Sequence, residues 1–127
     1  MLFLCNFLTD YFITFGCGNI TAVNPKQEYI IKKIKNLLHA KSPDARVLLY
    51  GSHARGDSDP ASDWDILIIL DKKNIESSDY EELSYPLYEL GWQEDELISV
   101  KLYTKAEWQQ RSFTPFYKNI EKESIAL

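Results

Sequence analysis

The chain has 127 residues, with 19 acidic and 14 basic side chains and a formal net charge of −5. This is long enough for one domain with a buried core and too short for a catalytic domain plus a separate acceptor-binding domain. The acidic balance argues against sequence-independent binding to a phosphate backbone, which requires a basic surface, so no nucleic-acid partner is expected.

Residues 1–23 are apolar, but they are interrupted by Asp10 and lack a basic lead-in. They fit neither a secretory signal nor a bilayer span, and we expect an extension, helix or strand, packed on the domain or on a partner. The domain proper is expected at residues 24–127. Cys5 and Cys17 have no histidine nearby at metal-ligand spacing. A disulfide framework or zinc site is therefore not expected, which fits a reducing cytosol.

Asn24 as N-cap, Pro25 in the first helical position and Gln27 for a capping box open the first helix. Ile30, Ile34, Leu37 and Leu38 recur at helical spacing, and the helix should run to about Ala40, before Ser42-Pro43. Lys32, Lys33 and Lys35 read as its solvated face, and His39 as a capping or dipole residue at its end. A strand follows at Arg46 to Tyr50, then a turn-rich loop, then a strand built on the apolar run Ile66 to Leu70. Ser78 and Glu81 suggest a capping box for a helix carrying Tyr80, Leu83, Leu87 and Leu90, with a kink at Pro86 and a stop at Gly91. A third strand spans about Leu97 to Tyr103. Thr104 with Glu107 caps a short helix through Trp108, and Thr114-Pro115 opens a last one with Phe116, Tyr117 and Ile120. The order of helices and strands is that of an α/β domain.

Chemistry concentrates between Tyr50 and Leu70, YGSHARGDSDPASDWDILIIL. Side chains alternate along a strand, so Asp63 and Asp65 share one face while Trp64 takes the other. Two adjacent carboxylates repel and call for a cation, and their hard oxygens suit Mg²⁺. Across the loop, Gly51 removes the side chain that would hold a phosphate off the backbone, and Ser52 adds a hydroxyl donor. Asp57 and Asp59 read as loop-shaping Asx turns. The triplet Arg55-Gly56-Asp57 also looks like an integrin-binding tripeptide, but here it is embedded in the larger pattern.

Together, Gly51, Ser52, Ala54, Arg55, Gly56, Ser62, Asp63, Asp65 and Leu67 resemble the signature of the DNA polymerase β-type nucleotidyltransferase superfamily, in the short form of the minimal nucleotidyltransferases. The resemblance implies an α/β (α+β) domain, a small mixed β-sheet flanked by helices. It implies attack of an acceptor hydroxyl on the α-phosphate of a nucleoside triphosphate, with adenylyl transfer from ATP favoured. Asp63 and Asp65 would be catalytic and would hold Mg²⁺, a two-metal site being one form. Gly51, Ser52, Arg55 and Ser62 would bind the nucleotide, with a salt bridge to Asp57 or Asp59 as the other role for Arg55. His53 is not needed as a base where a metal serves. The superfamily also uses a third carboxylate on the neighbouring strand; here Ser99 and Lys101 stand where it is expected, and Glu94, Asp95 and Glu96 read as a solvated turn before the strand. The alternative function is an antitoxin-like interaction module, paired with a helical HEPN-type protein or with itself. A cytoplasmic, membrane-free location is expected in either case.

Overall fold

The computed structural model describes residues 25–127, and both the extension at residues 1–23 and the Asn24 cap lie outside the described residues. Helix α1 (Pro25–Lys41) buries Ile30, Ile34 and Leu38, a stripe at intervals of four. Leu37 lies half-buried at the edge of that stripe, and Lys32, Lys33 and Lys35 are exposed. At the helix end His39 Nε2 lies 3.2 Å from the Leu127 carbonyl oxygen, so the residue ties α1 to the last strand.

Strands β1 (Arg46–Tyr50), β2 (Trp64–Leu70), β3 (Ile98–Thr104) and β4 (Ile125–Ala126) form one sheet in the order β3-β2-β1-β4. β1 pairs antiparallel with β2 and β4, whereas β2 pairs parallel with β3, so the sheet is mixed as expected. The one-turn helix α2 (Ser52–Arg55) lies in the loop between β1 and β2. Between β2 and β3 three helical pieces run end to end: α3 (Ser77–Asp79), a π-helical stretch (Tyr80–Ser84) and α4 (Tyr85–Glu94). Helices α5 (Lys105–Gln110) and α6 (Pro115–Glu123) follow β3.

Two local expectations, the start and the stop of the helix after β2, are corrected here. The helix after β2 starts not at Ser78 but behind Glu76, whose backbone N–H donates to the Asp79 carboxylate at 2.8 Å, while Lys72 pairs with the same group at 2.9 Å. Pro86 lacks an N–H and breaks the regular ladder, and the turn before it widens, with Tyr85 N–H donating to the Tyr80 carbonyl. Gly91 does not end the helix. Asp95 takes the left-handed conformation at φ 56°, and Glu96 N–H returns to the Gly91 carbonyl at 2.8 Å. Gly91 is instead a close-approach residue, since a Cβ there would come within 2.6 Å of the Glu96 carbonyl oxygen.

The expected caps of α5 and α6 are both present. Glu107 N–H donates to Thr104 Oγ1 and Thr104 N–H to the Glu107 carboxylate, and Tyr117 N–H donates to Thr114 Oγ1. The sheet separates two cores. On one face Val47, Leu49, Trp64, Ile66, Ile68, Leu70, Ile98 and Leu102 pack under α1 and α4. On the other, Leu48, Leu67 and Ile69 pack with Trp108 and Ile120. Among the described residues no helix is long and apolar enough to cross a membrane.

Candidate functional site

Strand β1 ends at Tyr50, and the chain then turns at Gly51 with φ 77°, a conformation that L side chains rarely adopt. A Cβ at this position would also collide with Asp65 Oδ2. Gly51 therefore lets the Asp65 carboxylate lie directly against the turn. The carbonyl of Gly51 receives the N–H groups of Ala54 and Arg55 at 3.1 and 3.0 Å, and Gly56, at φ 85°, stops α2 after one turn.

The loop is held by a ring stack that alternation alone does not reveal. His53 lies flat on Trp64, with ring centroids 3.8 Å apart and planes 11° from parallel. Its Nε2 lies 3.3 Å from the Ser62 carbonyl oxygen, and its Nδ1 faces Gln27 Nε2 at 3.4 Å. A carbonyl oxygen only accepts and an amide nitrogen only donates, so these partners select the Nε2–H tautomer. The Gln27 amide also donates to Ser58 Oγ at 3.0 Å. His53 thus spends both nitrogens on holding the loop to α1 and to Ser62. Ser62 is itself built into the Asp59 turn: its hydroxyl accepts the Asp59 N–H at 2.9 Å, and Ala61 N–H donates to Asp59 Oδ1 at 2.8 Å.

The carboxylates stand at the start of β2. The register aligns Tyr50 on β1 and Ser99 on β3 with Asp65, so these three side chains form one row across one face of the sheet. Asp63 is exposed just before the strand, and Asp65 is half-buried. Burial and then the neighbouring Asp63 carboxylate push Asp65 above its ordinary value, against the lowering influence of His53, Lys101 and Arg55. Burial, followed by the Asp65 charge and Tyr103, pushes the Tyr50 hydroxyl up to about 12. Tyr50 therefore stays protonated and can donate a hydrogen bond at neutral pH.

Around this row the other expected site residues fall as follows. Ser52 opens α2 next to Gly51. Arg55 lies at the rim and pairs with Asp57 at 3.2 Å and with Glu123 at 3.6 Å, while its charge still reaches Asp65. Lys101 lies one row beyond Ser99, aligned with Leu67. Among the described residues no group of three acidic, histidine or cysteine side chains is placed to hold a metal ion, so the carboxylates here number two. A cavity of about 670 Å³ opens on the other side of the loop, lined by Ser62, Tyr88, Trp92, Leu97 and Ile98 among others. Tyr50 and the His53–Trp64 stack are the residues that sequence reasoning missed. The signal for Tyr50 was its place as the last residue of β1, which the antiparallel register converts into a neighbour of Asp65.

The family model described as a nucleotidyltransferase domain matches residues 31–127, which contain the loop, both carboxylates and all four described strands. A search of the curated proteins found no match.

Proposed function

The chain belongs to the nucleotidyltransferase domain family, and on that premise we propose that it transfers a nucleoside monophosphate, with AMP favoured, from a nucleoside triphosphate to an acceptor hydroxyl. The observation that carries this reading is the contact of Asp65 with the Gly51 turn, which brings a two-carboxylate face against the candidate phosphate cradle. In the transfer, the acceptor oxygen forms a bond to the α-phosphorus, the bond to the α–β bridging oxygen breaks, pyrophosphate leaves and the hydroxyl proton passes to solvent.

The donor set fits a divalent cation. Asp63 and Asp65 supply only hard oxygens, and burial followed by the Asp63 charge pushes Asp65 upward, so a cation bound at the pair would relieve both carboxylates. When bound there, Mg²⁺ would neutralise phosphate charge and polarise the α-phosphate. The chain's own residues do the rest. Gly51 and Ser52 admit the β- and γ-phosphates to the backbone, and Arg55 exchanges its exposed carboxylate partners for the triphosphate. Ser62 keeps the loop in shape through Asp59. The test is incubation with ATP labelled at the α- or the γ-phosphorus, together with candidate acceptors. Label retained from the α position alone supports adenylyl transfer; retention from the γ position contradicts it.

A second reading rests on the exposed side chains Trp92, Leu97 and Phe113, which are 80%, 63% and 77% accessible. They favour an antitoxin-like module that docks on a helical HEPN-type protein or on a second copy. The two readings merge if that partner, in the cytoplasm, carries the acceptor hydroxyl.

A further inference from the structure

Lys101 is the one lysine whose charge acts on Asp65, and it does so from the neighbouring strand. None of the ion pairs among the described residues uses it. Its side chain is exposed, and it stands on the same sheet face as Tyr50, Asp65 and Ser99, one row farther along. Its long flexible stem lets the ammonium reach from the Leu67 row toward the carboxylates or toward an anion bound at them. Among the described residues no third acidic, histidine or cysteine side chain joins Asp63 and Asp65 in a metal-holding group, and the position aligned with Asp65 on β3 offers only the Ser99 hydroxyl. Two carboxylates supply hard oxygens for one divalent cation, while a second would need a further carboxylate on β3, where a hydroxyl and an ammonium stand.

Resting on the nucleotidyltransferase reading, we propose that Lys101 is a catalytic residue whose ammonium contacts the transferred phosphate in place of a second divalent cation, so that the site takes one such ion per bound nucleotide. The lysine then supplies fixed positive charge from the side of β3, while Asp63 and Asp65 hold the single ion from β2.

The test is equilibrium dialysis of the full chain against Mn²⁺ and a triphosphate analogue with a methylene bridge between the α- and β-phosphorus, counting both retained species. We expect one Mn²⁺ per nucleotide in the unaltered chain. In Lys101→Asp, which restores a third carboxylate, we expect two. In Lys101→Ala we expect one ion with nucleotide affinity lowered about tenfold, the size of a lost charge-assisted contact, and recovery in Lys101→Arg. Two ions per nucleotide in the unaltered chain, or unchanged affinity in Lys101→Ala, would overturn the role of Lys101 and leave the transferase reading standing. Retention of neither Mn²⁺ nor analogue by the unaltered chain would overturn both.

Discussion

On the face of the sheet turned toward α1 and α4, the inward positions of β1, β2 and β3 carry aliphatic side chains or Trp64, with Thr104 at the end of β3 the exception, and nearly all are buried. The opposite face is divided along its length. One end is a small core of Leu48, Leu67, Ile69, Trp108 and Ile120; the other is the row of Tyr50, Asp65 and Ser99, with Asp63 just outside it. The contrast shows where stability is made and where it is given up. The first face holds the fold through apolar burial, each filled aliphatic position contributing about 1.5–3 kcal/mol. That surplus lets the second face keep two like charges together with no ion pair to either of them among the described residues.

The largest expected effect comes from breaking the apolar face. Ile68→Ala removes a fully buried side chain from the main core and should cost about 2–5 kcal/mol in urea unfolding, enough to unfold a marginal domain. A loss below 1 kcal/mol would show that the second face carries more of the stability than its burial implies.

Gly51→Ala tests the junction between the faces. The positive φ and the collision with Asp65 should together cost about 1–3 kcal/mol and should also abolish nucleotide binding, read by calorimetry on the folded variant. Binding retained in that variant would separate the Gly51 turn from the site.

Two carboxylates on the same face sharpen the comparison, because one is paired and the other is not. Glu121 accepts both Arg46 guanidinium nitrogens, at 2.8 and 3.0 Å, and the Trp108 indole N–H at 2.8 Å. The Arg46 hydrogen bond holds it below the ordinary value of 4.5 despite partial burial. Its contribution is therefore present above that value and is lost as the pH falls through the lower folded value. Glu121→Gln should cost about 1 kcal/mol near neutrality and should flatten this acid-side loss. Asp65 has the opposite sign. Its folded value lies above 3.8, so its contribution is full below 3.8 and is lost as the pH rises through the folded value. Asp65→Asn should therefore stabilise the metal-free fold at neutral pH, by no more than about 1 kcal/mol once solvent screening is allowed for. A destabilised Asp65→Asn would mean that the carboxylate already has a partner that these contacts do not show.

The division between the faces was largely legible in the sequence. Alternation placed Ile98, Val100 and Leu102 toward the helices and Ser99 with Lys101 on the other side, and the burial of Ile98 and Leu102 agrees. The α5 and α6 caps were legible because Thr104 and Thr114 act on residues three positions away. What depended on distant residues was not. β4 is two residues long, too short for any period, and exists because β1 offers it an edge. Asp95 rather than Gly91 ends α4, since Gly91 is required for the approach of Glu96. The site followed the same pattern. Asp63, Asp65, Gly51 and Ser52 could be placed by local spacing. The Tyr50 row and the His53–Trp64 stack required the register and the path of a loop whose closure spans from Gln27 to Ser62.

The most direct measurement is a calorimetric titration with ATP, with and without Mg²⁺, of the unaltered chain and of the variant carrying both Asp63→Asn and Asp65→Asn. The expected result is Mg²⁺-dependent binding in the first and none in the second, with both equally folded by circular dichroism. Equal affinity in the two chains would contradict the assignment of these carboxylates to the metal and, with it, the site built around them.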